Sequence, residues 1–325
     1  MGSRAKRMIK GMKYSIGMDF GGMSAKAGIF SADGKLICKD SVKTSKEDGY
    51  LLTVDKLAEL AQALIRRSGK RADSLGIGAP GVIDSAAGVV VRWGNFDWKD
   101  APLAADLAKR TGLPVKLAND ANVAALGEAK FGAGKKYGDS VLLTLGTGIG
   151  SGIILGGKIF DGFCGGGAEA GHMVIEAGGI PCACGRRGCF EQYASATALI
   201  RDTKRAMFEN KDSLLWSLAG EPDNVTGKTA FDAARRGDAA AQKVVKNYIM
   251  YLGEGILNLV NIFRPETVMI GGGISNEGEY LLQPLRKYVS ERLYVDCERI
   301  PLVIVRATLG SDAGMVGAFA LAAEK

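Results

Sequence analysis

Histidine and proline are scarce in this chain, whose 325 residues include one histidine, His172, and eight prolines. No run of eighteen or more apolar residues occurs without charges or glycine clusters. The first residues also lack the charged, apolar and small-residue order of a secretory signal. The sequence therefore supports neither a membrane span nor export, and we expect a cytoplasmic protein without membrane contact.

Two familiar nucleotide-binding patterns are absent as well. No segment matches the eight-residue phosphate-binding pattern that ends in Gly-Lys-Ser/Thr, and "LGTGIG" lacks the downstream acid and helix of a dinucleotide site. These absences argue against a P-loop NTPase and against a Rossmann-type dinucleotide site. A net charge of +7 nevertheless suits an anionic partner, either a nucleotide or a nucleic acid.

Glycine is abundant, with 46 residues gathered in short clusters such as "DFGG", "LGTGIGSG" and "IGGG". Each of these three clusters follows an apolar segment that is typical of a strand. A glycine turn in that position can direct backbone N–H groups at phosphate oxygens. Any one such loop is more simply explained as a tight turn, whereas three together favour phosphate binding.

The order of elements predicts an α/β protein with two lobes and a cleft between them. "KYSIGMDF" has the alternation of a strand, and Asp33-Gly34 predicts a hairpin turn after it. Helical periodicity precedes Gly69 and Gly112, each a candidate helix stop. The middle one of three later helical segments is interrupted near Gly237-Asp238. Residues 1–12, with several basic side chains, are interpreted as a disordered extension.

Asn119 and Asp120 stand where a short strand-like run gives way to a helical pattern. The structural interpretation is a helix N-cap, which is the usual role of these residue types at such a junction. The functional interpretation is a general base that accepts a hydroxyl proton as phosphoryl transfer begins. The residues alone leave both interpretations open.

The segment "EAGHMVIEAGGIPCACGRRGCFEQ" combines His172 with three of the six cysteines, Cys182, Cys184 and Cys189. One imidazole and three thiolates are the number and softness of ligands that suit a closed, structural zinc site. Zinc-bound histidine usually offers its second ring nitrogen to another group. If that group is a ligand hydroxyl, the segment places His172 with Glu169 and Glu191 around a polyol. The remaining cysteines, 38, 164 and 297, are expected to be buried thiols.

With these motifs assembled, the chain resembles the ROK family of sugar kinases and sugar-responsive repressors. "DFGG", "NDAN", "LGTGIGSGI", "EAGH" and "CACGRRGCFEQ" occur in that order, and the resemblance runs from about residue 13 to the end. It implies an actin/hexokinase-like (ribonuclease H-like) fold with a cleft between two lobes. We expect a small domain of residues 13–120, completed by residues 309–325, and a large domain of residues 121–308.

The resemblance also implies roles for individual residues. Asp120 is expected to be the catalytic base, and Asp19 to help hold Mg²⁺ through water. His172 is expected to bind both zinc and sugar. The remaining sugar ligands are Asn119, Asp120, Glu169 and Glu191; the zinc ligands are His172, Cys182, Cys184 and Cys189; the ATP contacts are Gly21, Gly22, Lys26, Thr147, Gly148, Gly271, Gly272 and Gly273. Met23 stands where the family usually has threonine, and Ser24 is the next hydroxyl along the chain.

The resulting functional prediction is ATP-dependent phosphorylation of the 6-hydroxyl of glucose, with Mg²⁺ and a structural zinc ion. Fructose, mannose, N-acetylglucosamine and N-acetylmannosamine are the alternative substrates. A sugar-responsive repressor would need a DNA-binding domain ahead of the first strand, and the thirteen or so residues there cannot form one. We therefore expect no nucleic-acid partner. A catalytically inactive sugar-binding protein is a further alternative. The family resemblance implies a homodimer.

Overall fold

The computed structural model describes residues 14–295 and 299–324. The predicted basic extension and Cys297 lie outside these residues. The strands are β1 (Tyr14–Phe20), β2 (Ser24–Ser31), β3 (Leu36–Lys43), β4 (Ser74–Ala79), β5 (Val82–Asp84), β6 (Val89–Trp93), β7 (Trp98–Ala101), β8 (Val115–Asn119), β9 (Ser140–Leu145), β10 (Ile149–Leu155), β11 (Lys158–Phe160), β12 (Thr267–Gly271) and β13 (Val303–Arg306). The α-helices are α1 (Gly49–Ser68), α2 (Leu103–Thr111), α3 (Asp120–Phe131), α4 (Glu191–Ala194), α5 (Ala196–Glu209), α6 (Leu214–Ala219), α7 (Thr229–Arg235), α8 (Ala239–Phe263), α9 (Glu279–Ser290) and α10 (Ala313–Ala323).

The α/β class predicted from the sequence is confirmed. A five-stranded sheet has the order β3-β2-β1-β4-β8, with β1 antiparallel to β2 and parallel to β4. The predicted hairpin joins β2 to β3, and Gly34 in its turn has a φ of 86°. A second five-stranded sheet has the order β11-β10-β9-β12-β13, and β5-β6-β7 form a smaller sheet.

Helix ends follow the local signals in the sequence. Gly69 ends α1 and Gly112 ends α2, both in the left-handed conformation that glycine adopts without steric cost. The interruption near Gly237 separates α7 from α8, where the Asp238 side chain accepts a hydrogen bond from the Ala241 N–H. Within the ranges 14–295 and 299–324, no helix is both long and apolar enough to span a bilayer.

The chain divides into two compact units. Of the described residues, the first comprises 14–140, 152–168 and 308–324, and the second comprises 141–151, 169–295 and 299–307. The domain boundaries given above from the sequence stay a prediction.

In the first unit, α10 packs with its backbone close to its neighbours. A Cβ atom added at Gly317 would lie 1.6 Å from the Val123 carbonyl oxygen of α3, and one added at Gly76 of β4 would lie 1.9 Å from the Ala318 carbonyl oxygen. Real Cβ atoms do not approach other atoms so closely. Glycine is therefore needed at these positions because helix and sheet are in direct backbone contact.

A carboxylate, Glu128 of α3, is buried in the same unit with a relative exposure of 0%. One oxygen accepts hydrogen bonds from the Thr308 N–H (2.8 Å) and the Leu309 N–H (2.6 Å). The other accepts from the Ala133 N–H (2.8 Å) and the Thr308 hydroxyl (3.3 Å). These donors replace the water that the carboxylate loses, and they attach the segment that leads into α10 to α3.

The expectation of buried free cysteines is wrong for Cys164. This residue is exposed, in a glycine-rich turn with a φ of 50°, and Cys38 is partly buried. Three glycines follow Cys164, and they give the segment too few side chains to cover its thiol.

Glu128→Ala should destabilise the chain by about 3 kcal/mol, because three partly buried N–H groups lose their acceptor. Glu59→Ala in α1 is the matched control, since the Glu59 side chain is 64% exposed in its ion pair with Arg66 and should contribute less than about 1 kcal/mol. Urea unfolding of both variants measures the two free energies. Equal losses would contradict the anchoring role of Glu128.

Candidate active site

Asn119 and Asp120 occupy the junction of β8 and α3, and the structure separates their roles. Asn119 is the N-cap, and its side-chain oxygen accepts hydrogen bonds from the Ala121 N–H (2.9 Å) and the Asn122 N–H (3.3 Å). Its amide nitrogen donates to the Gly81 carbonyl at 3.1 Å. Asp120 is therefore not needed as the cap. Burial raises the pKa of its carboxyl, against the opposing effect of the hydrogen bond from the Ala121 N–H.

Asp19, near the end of β1, is a second carboxyl group with an unusual environment. Burial, and then the charge of Asp120, raises its pKa from 3.8 to about 6. Lys26 faces it across the β1–β2 pair and opposes this shift. Two neighbouring carboxylates of this kind repel each other unless a proton or a cation lies with them. Their all-oxygen donors suit Mg²⁺.

The turn after Asp19 is held by hydrogen bonds to its backbone groups. The Gly21 N–H donates to the Ser24 carbonyl at 2.9 Å, and the Thr44 hydroxyl donates to the Gly21 carbonyl at 3.1 Å. Met23 is 85% exposed, and its carbonyl accepts from the Thr44 N–H at 3.1 Å. Thr44, which the sequence patterns do not single out, therefore supports the turn from β3.

The four predicted zinc ligands lie together in the second unit. One ligand atom from each of His172, Cys182, Cys184 and Cys189 lies within 4.8 Å of all the others. The His172 Nδ1 and Cys182 Sγ atoms are 3.6 Å apart, and the Cys184 and Cys189 Sγ atoms are 3.5 Å apart. A tetrahedral zinc ion would hold sulfur pairs about 3.8 Å apart and a sulfur–nitrogen pair about 3.5 Å apart. The cluster therefore has the size and chemistry of a zinc site.

Two glycines allow the cysteine loop to fold around this cluster. Gly185 has a φ of 90° and Gly188 a φ of 83°, in the region that L side chains rarely adopt. Burial raises the pKa of the Cys189 thiol to about 12, whereas the Arg186 N–H lowers the pKa of Cys184. A metal ion that takes these groups as thiolates would release their protons.

The short turn of residues 169–172 contains Glu169 and His172 and packs against β10. The Ala170 N–H donates to the Ser151 hydroxyl at 3.0 Å, and a Cβ at Gly171 would lie 2.2 Å from the Ile149 carbonyl oxygen. The turn is therefore fixed on the first residues of β10, which follow the Thr147–Gly148 loop in the chain. With Nδ1 facing Cys182, the Nε2 atom of His172 is left to another partner.

Glu191, the first residue of α4, lies beside both the cysteine cluster and the second glycine loop. Its Oε1 atom accepts from the Cys182 thiol at 3.2 Å and lies 3.7 Å from His172 Nδ1. Thr147, Gly148, Glu191 and Gly272 line one pocket of about 400 Å³. Gly272 reaches this pocket because its turn packs on Leu145 at the end of β9. Two of the predicted phosphate loops and one predicted sugar ligand thus share a pocket.

Two contacts of Asp19 are absent from the sequence predictions. The charge of Asp312 also raises the pKa of Asp19, and a Cβ at Gly314 of α10 would lie 2.6 Å from the Asp19 carboxyl carbon. The only local signal is an aspartate before a helix of small residues, "SDAG". That signal predicts a helix start, and the pairing with β1 depends on the fold.

Comparison with known proteins identifies one matching family and several relatives. Residues 15–325 match the ROK family. The chain is 42% identical to a glucokinase of Thermotoga maritima over 313 residues, which cover 95% of this chain and 97% of that protein. It is 30% identical to a xylose repressor of Bacillus spizizenii, over 94% of this chain and 75% of the repressor.

Among solved structures, the chain resembles a ROK family glucokinase from Streptomyces griseus in complex with glucose and AMPPNP. The TM-score is 0.78 with 37% identity, over 95% of this chain and 99% of that one. Together with the α/β sheets described above, this similarity confirms the predicted actin/hexokinase-like fold class.

Asp19→Asn should stabilise the magnesium-free protein at pH 7.5. Because the folded pKa of about 6 exceeds the ordinary 3.8, ionising Asp19 costs stability as pH rises between these values, and the cost is constant above them. Asparagine does not ionise. The variant's advantage over the unmodified protein in free energy of unfolding should therefore be larger at pH 7.5 than at pH 4 by roughly 1 to 3 kcal/mol. Urea unfolding of both proteins at the two pH values measures it. A difference independent of pH would contradict the shift.

Proposed function

We propose that this chain, which belongs to the ROK family, transfers the γ-phosphoryl group of ATP to glucose and forms glucose 6-phosphate. The observation that carries this proposal is the 42% identity to a glucokinase over nearly the whole of both chains. The solved relative with 37% identity holds glucose and AMPPNP, a sugar and a nucleotide analogue of the proposed classes.

Phosphoryl transfer needs little covalent help from a protein, because its transition state is loose and catalysis comes from alignment and charge stabilisation. Asp120 is the proposed base that accepts the proton of the attacking hydroxyl. Its placement at the first turn of α3 fixes its backbone, and its raised pKa brings the carboxyl closer to the pH at which a general base is effective.

Recognition of the sugar is assigned to Asn119, Glu169, His172 and Glu191 together with Asp120. Carboxylates, an amide and an imidazole are suited to sugar hydroxyls because each can accept or donate directed hydrogen bonds. The cysteine cluster supports this assignment for His172 and Glu191, since both contact Cys182.

ATP is assigned to the glycine loops at 21–22, 147–148 and 271–273, with Lys26 beside the first loop. Asp19 would hold Mg²⁺ through water, and that ion would neutralise phosphate charge as it is transferred. The carboxyl pair Asp19 and Asp120 fits such an ion. A homodimer in the cytoplasm completes the proposal.

Other hexoses and N-acetylhexosamines are the alternative substrates. Measuring turnover with glucose, mannose, fructose, N-acetylglucosamine and N-acetylmannosamine in one coupled assay decides between them. The similarity to a xylose repressor gives a second outcome to test, namely sugar binding without turnover of ATP.

Asp120→Asn should lower kcat by about a hundredfold to ten-thousandfold, because the amide cannot accept the hydroxyl proton. The dissociation constant for glucose should stay within about tenfold, since asparagine keeps the size and much of the hydrogen bonding. A coupled assay gives kcat, and calorimetry gives the affinity. Turnover at the level of the unmodified protein would disprove the assignment of the base.

Zinc is the proposed structural ion of the cysteine loop, with His172, Cys182, Cys184 and Cys189 as its ligands. Metal analysis should find about one zinc per chain, and Cys184→Ser should lose zinc and glucose affinity together. Cys164→Ser is the matched control, because this exposed cysteine lies outside the cluster. Protein purified without chelators that holds no zinc would refute the assignment.

A further inference from the structure

Gly148 stands in the loop assigned above to phosphate, yet its closest neighbour is a carboxylate. A Cβ atom added at this position would lie 2.5 Å from Glu191 Oε2 and 3.6 Å from the Glu191 carboxyl carbon. Glu191 Oε2 thus occupies space that any side chain at position 148 would need.

The backbone gives no other reason for glycine at this place. Gly148 is not among the residues with positive φ, so an alanine could adopt its conformation. Gly146, two residues earlier, also lies outside the positive-φ set, and an added Cβ there would meet nothing within 4 Å. Neither position needs glycine for its φ, and only at Gly148 would an added Cβ meet a neighbour, the Glu191 carboxylate.

Glu191 is held on its other side. Its Oε1 atom accepts from the Cys182 thiol at 3.2 Å and lies 3.7 Å from His172 Nδ1, and its side chain is 18% exposed. The carboxylate is the flexible end of its side chain, whereas Gly148 belongs to a turn closed by the hydrogen bond from the Gly146 N–H to the Gly148 carbonyl at 3.1 Å. A side chain at position 148 would therefore displace the carboxylate rather than the loop.

We propose that Gly148 is a positioning residue for the sugar, because its missing side chain lets Glu191 hold the orientation in which it binds a sugar hydroxyl. The proposal rests on the proposed function, which makes Glu191 a sugar ligand. It also makes the Gly148–Glu191 contact a direct link between the phosphate loop and the sugar site. A loop that shifts on binding nucleotide would shift this carboxylate, and the coupling between the two ligands must be reciprocal.

The test compares Gly148→Ala with Gly146→Ala by calorimetric titration of glucose without nucleotide. Gly148→Ala should weaken glucose binding at least about tenfold, as expected when a hydrogen-bonding group is displaced from its ligand. Gly146→Ala should leave glucose affinity within about twofold. AMPPNP affinity of Gly148→Ala should change less than its glucose affinity. Thermal unfolding and zinc content establish that both variants are folded.

A double variant keeps the proposal testable if Gly148→Ala folds poorly. Glu191→Asp shortens the carboxylate and makes room for a Cβ at position 148. In the Glu191→Asp background, adding Gly148→Ala should therefore weaken glucose binding less than about threefold, which is smaller than the loss of about tenfold expected in the unmodified protein. Equal losses in both backgrounds would overturn the proposal.

The remaining outcomes separate this proposal from the proposed function. If the unmodified protein binds glucose and Gly148→Ala binds it equally well, or loses only AMPPNP affinity, the positioning role is wrong and the kinase assignment stands. If the unmodified protein prefers another of the five sugars, the same titrations with that sugar decide. If it neither binds nor phosphorylates any of them, both proposals are overturned.

Discussion

Backbone contact between α10 and its neighbours is the constraint on which the first unit depends. Gly76 of β4 and Gly317 of α10 leave no room for even one methyl group, so the sheet, α10 and α3 lie at fixed distances from one another. Asp19 is the last residue but one of β1, and Asp120 begins α3. The packing of helix and sheet therefore brings the charge of Asp120 near enough to raise the pKa of Asp19.

Three carboxyl groups of this unit, Glu128, Asp19 and Asp120, are held in two different ways. Glu128 receives hydrogen bonds from three backbone N–H groups and one hydroxyl, which stabilise its charge. Asp19 and Asp120 have fewer such donors, and burial raises the pKa of both. Glu128 thus contributes to stability. The ionised forms of Asp19 and Asp120 are instead electrostatically unfavourable, which suits a site that binds a cation and a proton.

In the second unit, the cysteine loop organises more than its own ligands. Left-handed glycines let the loop close, which brings Cys182 against His172 and Glu191. Glu191 in turn meets Gly148, and Gly272 packs on the end of β9. A metal ion at the cysteines would therefore stiffen a set of contacts that continues into the glycine loops.

Several local features of this protein can be predicted from the sequence alone. They are the hairpin at Asp33-Gly34, the helix ends at Gly69 and Gly112, and the four clustered zinc-type ligands. Each depends on residues close together in the chain, whose backbone preferences and spacing can be read directly. The candidate site residues were found by motif, but their contacts were not. The contact between Glu128 and Thr308, 180 positions apart, and the Glu191 carboxylate beside Gly148 are visible only in the folded chain. So is the exposed position of Cys164. Such outcomes depend on how whole elements pack, and no short segment contains that information.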